Sequence, residues 1–236
     1  MKYQSLKNEL RKYSSLEKAK KAKRFFKTAP GQYSATDVFI GVTTPEIRRI
    51  AKSSMSVSFD VLNQLLLSPI HEERHLAVII LVDKFKASDF STREKIFRFY
   101  LKMKNRINNW DLVDTSAASI LGDFSLENNS LNHMNKLIDS KRHWDRRKAI
   151  VATHAFIKKG KLDLTFNYAK KILNDKEDLM HKAAGWMLRE AGKKNKKSLR
   201  MFIHEHGSKM PRTMLRYAIE HFTLIERKKI LSSTKG

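Results

Sequence analysis

The chain has 236 residues, no cysteine, and 48 Lys and Arg against 24 Asp and Glu, which gives a formal net charge of +24. Without cysteine, disulfides, thiolate metal sites and a cysteine nucleophile are excluded. So large a positive excess repels itself unless a polyanion screens it, and nucleic acid is therefore the favoured class of partner. A ribosome-like structural role, a membrane-surface role and a merely basic soluble protein stay open as alternatives.

The N-terminal segment is charged throughout. Its first 26 residues, MKYQSLKNELRKYSSLEKAKKAKRFF, contain no apolar run long enough for a signal peptide or a membrane span. We therefore predict a soluble cytoplasmic protein of the bacterial intracellular type. We expect a monomer with no membrane partner and no cofactor.

The residue types along the chain predict helices almost everywhere. Only 8 Gly and 4 Pro occur, too few for the turns of a sandwich or barrel, and no long alternating run suggests a sheet. Gly160 is typical of a helix stop. Capping-box spacing predicts helix starts at three pairs, and Thr44 before Pro45 suits an N-cap followed by the first helical position. The three pairs are Ser14 with Glu17, Thr43 with Glu46, and Ser91 with Glu94.

Five apolar helical segments recur at similar intervals. They start at Arg74, Asp111, Arg147, Lys182 and Thr213, about 37, 36, 35 and 31 residues apart. Second helices such as STREKIFRFYLKMK and LTFNYAKKILND lie between them. This is the spacing of stacked two-helix repeats. We predict an all-α fold, a right-handed α-solenoid with a concave basic groove, in one domain over residues 1–236. An irregular helical bundle is the alternative.

The helix around Trp110 has two distinct faces. At 100° per residue, Trp110 and Asp114 lie within about 40° of each other. The opposite side is the apolar stripe formed by Leu112, Val113, Ser116, Ala117 and Ile120. Asp111 lies in the first turn, where a carboxylate interacts with the helix dipole, so a structural role is favoured over a chemical one. Trp110 and Asp114 are candidates for function, although Trp110 could also cover the end of a repeat.

The helix around Trp186 places an aromatic side chain on a charged face. Lys182, Trp186, Arg189 and Glu190 share that face, while Ala184, Met187, Leu188 and Ala191 share the other. Because the core side already has its apolar residues, we interpret Trp186 as a contact residue. Trp144 is better explained by packing between helices.

The histidines do not predict a metal site. We find no paired ligand spacing among His71, His75, His133, His143, His154 and His181, and no His, Asp and Glu cluster. No phosphate-cradling glycine loop or nucleophile elbow is present either.

The basic residues recur along the chain rather than in one run, as expected of a track that follows a phosphate backbone. A solvated surface is the alternative for any single run. The basic positions include Lys18 to Arg24, Arg48 and Arg49, Arg146 to Lys148, Lys193 to Lys197, Arg212, Arg216, and Arg227 to Lys229.

Six strings, in this order and spacing, resemble the AlkD family of DNA alkylation-repair glycosylases, which are HEAT-like repeat proteins. They cover about four-fifths of the chain: VFIGVTTPEIRRIAK, EERHLAVIILVDKF, NNWDLVDTSAASILGDF, WDRRKAIVATHAFIKKG, LMHKAAGWMLREAGK and MPRTMLRYAIEHF. In that family two tryptophans, an aspartate and an arginine line the concave cleft that holds the lesion.

The resemblance carries these roles to particular residues. It implies that Trp110, Asp114 and Trp186 are site residues, together with Arg147, for which the adjacent Arg146 leaves a one-residue ambiguity. It further implies a monofunctional glycosylase acting on N3-alkyladenine and N7-alkylguanine in duplex DNA. The cations expected to contact DNA are Arg189, Lys182, Arg146, Lys148, Arg212, Arg216 and Arg48.

Three other functions are compatible with a basic helical repeat protein. A non-catalytic module could recognise the shape of DNA or its damage. An RNA-binding or ribosome-associated repeat protein would have the same charge. A peptide-binding scaffold is disfavoured by the charge of +24.

Overall fold

The computed structural model describes residues 2–234, and no β-strand occurs in that range. The prediction of an all-α fold is confirmed. The described chain divides into two compact units, one ending at Ser116 and the other starting at Ala117. No described helix is both long enough and apolar enough to cross a membrane.

The first unit is organised around one buried helix, α5. This helix contacts α1, α3, α4 and α6, and both its apolar and most of its polar side chains are buried. An isolated bridge between Val38 and Ile70 leads into it. The helices are α1 (Tyr3–Arg11), α2 (Leu16–Phe25), α3 (Thr44–Lys52), α4 (Phe59–Leu67), α5 (His71–Ala87), α6 (Phe90–Lys102) and α7 (Trp110–Ala117), with a short 3₁₀ turn at Lys104–Arg106.

The second unit begins within a continuous helical stretch. A π-helical segment, Ala118–Asp123, extends α7 and leads into α8 (Phe124–Glu127). The remaining helices are α9 (Asn132–Ile138), α10 (His143–Lys158), α11 (Asp163–Lys171), α12 (Asp178–Lys194), α13 (Lys196–His206), α14 (Arg212–Ala218) and α15 (Leu224–Ser233). Helix α10 packs against the π-helical segment, α9, α11 and α12, while α12 also packs against α11, α13 and α14.

The starts of the principal helices repeat at regular intervals. Helices α5, α7, α10, α12 and α14 begin at residues 71, 110, 143, 178 and 212, so the intervals are 33 to 39 residues. This agrees with the predicted two-helix repeat. The expectation that residues 1–236 form one domain stays a prediction.

The predicted helix ends are partly confirmed. The backbone N–H of Thr43 donates to the Glu46 carboxylate at 2.8 Å, which is the predicted capping box. Thr44 is the first residue of α3 and not its N-cap. Gly160 follows α10 with a φ of +74°, as a helix stop requires. Two predicted caps are shifted: Ser15 caps α2 in place of Ser14, and Asp89 caps α6 in place of Ser91.

Two glycines allow neighbouring helices to approach closely. Gly122 faces α10, where an added Cβ would clash with the carbonyl oxygen of Ala152 and lie 2.8 Å from Cβ of Ala155. Gly185 faces α14 in the same way, with the carbonyl oxygen of Met214 at 2.5 Å. Side chains larger than hydrogen do not fit at either contact.

Gly122→Ala should destabilise the fold although it replaces a helical glycine. Alanine ordinarily stabilises a helix interior by about 0.5–1 kcal/mol, whereas overpacking costs about 1–3 kcal/mol. We expect a net loss of about 1–2 kcal/mol in the free energy of unfolding, measured by urea denaturation. Asn167→Ala, on the exposed face of α11, is the control and should not destabilise. Wild-type stability of Gly122→Ala would contradict the close packing.

Candidate functional site

Helix α7 presents Trp110 and Asp114 on its accessible side. Both are half-buried and lie one turn apart. The opposite stripe is completely buried, as predicted: Leu112, Val113, Ser116, Ala117 and Ile120 are all 0% exposed. Because one face of α7 packs in the core, the opposite face, which carries Trp110 and Asp114, must point away from the core.

A column of stacked rings supports Trp110. Its ring lies nearly parallel to that of Phe26, with centroids 5.3 Å apart. Phe26 stacks on Phe39 at 4.9 Å, and Phe39 stacks on His71 at 4.7 Å. Phe25, which is 66% exposed, meets Trp110 edge-on at 5.7 Å. The indole is therefore held by packing from residues far away in the sequence.

A buried polar network fixes the start of α7. The side-chain oxygen of Asn109 accepts from the backbone N–H of Trp110 at 2.8 Å, and its amide donates to Asp37 at 3.1 Å. Asp37 also accepts from Arg74 at 2.7 Å. Asp111 accepts from the backbone N–H of Leu112 at 2.8 Å, which agrees with its predicted role at the helix start. The network anchors the two residues that flank Trp110.

Asp111 also binds two histidines of α5. Nε2 of His71 donates to Oδ2 of Asp111 at 2.7 Å, and Nδ1 of His75 lies 3.7 Å from the same oxygen. Burial lowers the pKa of His71, but the charge and hydrogen bond of Asp111 outweigh it and raise that pKa to about 9. Burial raises the pKa of Asp111, yet the charge of His71 brings it below its ordinary value. His71 and Asp111 therefore form an ion pair.

His75 differs from His71 because burial dominates. Its pKa falls to about 4, with the Asp111 charge opposing the fall only in part, so the ring is neutral at pH 7. The expectation of no paired ligand spacing is wrong for these residues. His71 and His75 are four apart on α5, a separation that puts two side chains on one helix face. That spacing was the available signal, whereas nothing in the sequence predicted Asp111 as their partner.

In the second unit, α12 shows the predicted division into two faces. Ala184, Met187, Leu188 and Ala191 are 0% exposed. Lys182, Trp186, Arg189 and Glu190 are half-buried on the other side. The ring of Trp186 lies 6.1 Å from that of His154. Trp186 therefore stands beside charged groups and not in the centre of the core.

The basic cluster at the start of α10 is mostly used within the protein. Arg146 pairs with Asp175 at 2.6 Å and donates to two carbonyl oxygens. Arg147 is 5% exposed and donates to the carbonyl oxygen of Leu179. Lys148 is completely buried, and its Nζ lies 3.3 Å from the carbonyl oxygen of Trp144. The prediction that Lys148 contacts DNA is therefore wrong, because its ammonium group cannot reach solvent.

Arg189 and Lys182 on α12 already form ion pairs with acidic side chains. Arg189 forms ion pairs with Glu190 at 3.1 Å and with Glu220, and burial opposes but does not cancel the rise in its pKa that the two glutamates cause. Lys182 pairs with Asp178 at 2.8 Å. Any contact of these cations with DNA requires an exchange of partners.

The remaining predicted DNA contacts lie at the surface. Arg48 on α3 and Arg216 on α14 are exposed. Arg212 is also exposed. It donates a hydrogen bond to the carbonyl oxygen of Leu231 at 2.9 Å, near the C-terminal end of α15. Trp144 is 6% exposed, which confirms that it packs between helices.

The protein is thus an all-helical repeat protein with a large positive charge and with a tryptophan and a carboxylate on an accessible helix face. The model of the family described as DNA alkylation repair enzyme matches residues 6–222. The chain therefore belongs to the DNA alkylation repair enzyme family, and the resemblance seen in the sequence is confirmed. Membership gives it a role in DNA alkylation repair and implies interaction with DNA.

A solved structure has the same fold. It is described as a predicted DNA alkylation repair enzyme from Enterococcus faecalis, with a TM-score of 0.67 and 17% sequence identity. The match covers 89% of this chain and 97% of that one. Comparison with curated proteins gives no match.

Proposed function

We propose that this protein is a monofunctional DNA glycosylase that hydrolyses the N-glycosidic bond of cationic alkylated purines in duplex DNA. Its substrates are N3-alkyladenine and N7-alkylguanine. The observation that carries the proposal is the pair of Trp110 and Asp114 on the accessible side of α7, whose start is anchored by Asn109 and Asp111. Fixed side chains are what transition-state stabilisation requires.

The chemistry needs a carboxylate more than a strong acid. A base made cationic by alkylation leaves as a neutral molecule, so its departure needs little protonation. Positive charge develops on the deoxyribose, as in the oxocarbenium-like state of glycoside hydrolysis. Asp114 stabilises that charge and orients or deprotonates the attacking water. The products are a free base and an abasic site, with no Schiff-base lysine involved.

The tryptophans supply electron-rich faces for a cationic nucleotide. Each such cation–π contact contributes roughly 0.5–2 kcal/mol, and most where water is excluded. The ring of Trp110 is already held by Phe26, so little side-chain freedom is lost when a ligand binds it. Trp186 lies on the charged face of α12 and supplies the second cation–π contact.

The cations bind the phosphate backbone. Arg48, Arg212 and Arg216 are exposed and suit direct contacts. Arg189 and Lys182 would exchange carboxylate partners for phosphate. The cleft arginine is Arg147 or the adjacent Arg146. Arg147 is 5% exposed and donates to the carbonyl oxygen of Leu179, and Arg146 pairs with Asp175, so either would have to exchange partners to bind a phosphate. Lys148 is completely buried and is not among these contacts.

The experiment is release of free base from methylated duplex DNA. Incubation with excess protein should liberate N7-methylguanine and N3-methyladenine with time, measured by liquid chromatography and mass spectrometry. A protein that only recognises DNA would bind the same duplex and release nothing. Competition between duplex DNA and RNA at matched salt tests the RNA-binding alternative, in which RNA would compete at least as well.

Trp186→Ala should lower excision while leaving the fold intact. Loss of one cation–π contact of roughly 0.5–2 kcal/mol corresponds to a rate about 2-fold to 30-fold lower. Single-turnover release of N7-methylguanine measures the effect, and circular dichroism checks helicity. Phe90→Ala removes an exposed aromatic side chain from α6 and should excise at the wild-type rate. Loss of helicity in Trp186→Ala would instead show that Trp186 is a packing residue.

A further inference from the structure

Two histidines from the first half of α5 and an aspartate in the first turn of α7 come together. Nε2 of His71 is 2.7 Å and Nδ1 of His75 is 3.7 Å from Oδ2 of Asp111. One donor atom from each residue lies within 4.8 Å of the others. None of these three side chains has a part in the glycosylase chemistry proposed above.

The separations suit a small divalent ion. Zinc binds imidazole nitrogen and carboxylate oxygen at about 2.0–2.2 Å, so tetrahedral ligand atoms lie roughly 3.3–3.6 Å apart. The separations of 2.7 and 3.7 Å lie on either side of that range. Side-chain movements of less than about 1 Å would bring the donors to bonding distance.

The two ring nitrogens of His75 have different surroundings. The residue is 5% exposed, and its Nε2 has no hydrogen-bond partner among residues 2–234. Nδ1 of the same ring lies 3.7 Å from Oδ2 of Asp111, which is beyond hydrogen-bond distance. Nδ1 is therefore the nitrogen of His75 that faces Asp111 and is the candidate metal ligand of this residue.

His71 is oriented by a hydrogen-bonded carboxylate, as metal-binding histidines usually are. Its Nδ1 faces Oδ2 of Asp37 at 3.4 Å, and Asp37 is itself held by Arg74 and Asn109. A carboxylate on the far nitrogen is the usual way in which a metal-bound imidazole is oriented. This arrangement leaves Nε2 of His71 directed at Asp111.

A pocket of about 420 Å³ gives access to the cluster. His71, His75 and Asp111 line it together with Phe39 and Glu72. Glu72 accepts from the backbone N–H of Gly41 at 2.8 Å and adds a carboxylate to the same pocket. Three protein ligands beside an accessible space leave one coordination position for water.

We propose that His71, His75 and Asp111 form a binding site for one Zn²⁺ ion or a similar first-row transition metal ion. Two imidazoles and a carboxylate favour such an ion over Mg²⁺ and Ca²⁺, which prefer oxygen ligands alone. The bound ion takes the place of the proton on Nε2 of His71, which is released to solvent. It links α5 to the start of α7, next to Trp110.

Isothermal titration of the chelator-treated full chain with zinc tests the site. We expect one saturable equivalent with a dissociation constant of about 10 µM or lower. His75→Ala should weaken this binding by at least about 100-fold, since it removes a ligand and not merely a neighbour of one. His154→Ala, a half-buried histidine on α10, is the matched control and should bind as the wild type does.

Two further measurements use the wild-type protein and so do not depend on whether His75→Ala folds. Cobalt should give the visible absorption of a tetrahedral site in the wild type, and zinc should raise its melting temperature while magnesium does not. Absence of a saturable equivalent in the wild type would overturn the proposal. Equal affinity in folded His75→Ala and the wild type would do the same, since the zinc would then be on other histidines.

Discussion

Asp114→Asn is expected to bind alkylated duplex DNA as tightly as the wild type and to excise bases at least about 100-fold more slowly. The amide keeps the size of the carboxylate and its place on the accessible side of α7. It lacks the negative charge that stabilises the positive deoxyribose. Binding depends on the surface cations, which this substitution does not change.

Single-turnover kinetics on a duplex with one N7-methylguanine measure the excision rate, and fluorescence anisotropy measures binding. Asp60→Asn, an exposed aspartate in the first turn of α4, is the matched control and should excise normally. Release by Asp114→Asn at the wild-type rate would remove Asp114 from the chemistry. A parallel loss of binding would show that its role is in holding DNA.

Asp37→Ala should destabilise the fold by about 3–5 kcal/mol, the cost of leaving a buried charge without its partner. The carboxylate pairs with Arg74 at 2.7 Å, and both side chains are 2% exposed. It also accepts from the amide of Asn109 and faces His71. Its loss therefore affects the start of α7 as well as α5.

Chemical denaturation of Asp37→Ala against the wild type measures this effect. Glu17→Ala is the control, because Glu17 and Lys21 form an ion pair at 2.6 Å in which both side chains are 76% exposed. Such a pair contributes little in water, so stability should hardly change. Equal effects of the two substitutions would mean that the network around Asp37 does not anchor the helices.

Periodicity predicted the parts of the molecule that depend on one helix at a time. The apolar stripe of α7 and the two faces of α12 follow from 3.6 residues per turn, and burial agrees at each position. The repeat spacing came from the same pattern. Trp110 and Asp114 could be selected as candidates because they lie opposite the apolar stripe of α7.

The sequence could not predict contacts made across long separations. Trp110 stacks on Phe26, which is 84 residues away, and Asp111 pairs with His71, which is 40 residues away. No local pattern marks Phe26, and the four-residue spacing of His71 and His75 did not indicate Asp111 as their partner. Cations were the least predictable residues, because a basic run does not show whether a given cation is buried, like Lys148, or exposed, like Arg48.

The proposed zinc site and the proposed glycosylase activity are separate claims that share the helix α7. Metal binding by His71, His75 and Asp111 can be measured without any DNA. Excision by Asp114 can be measured with chelator present. Failure of one experiment therefore leaves the other proposal standing.

The reaction products distinguish hydrolysis of the N-glycosidic bond from removal of the methyl group and from binding alone. A synthetic duplex with a single N7-methylguanine, incubated with the wild-type protein, can be resolved by mass spectrometry into base and strand. We predict free N7-methylguanine and an uncut strand with one abasic site, in equal amounts. Recovery of the intact methylated strand, or of a strand that has lost only its methyl group, would contradict hydrolysis of the N-glycosidic bond.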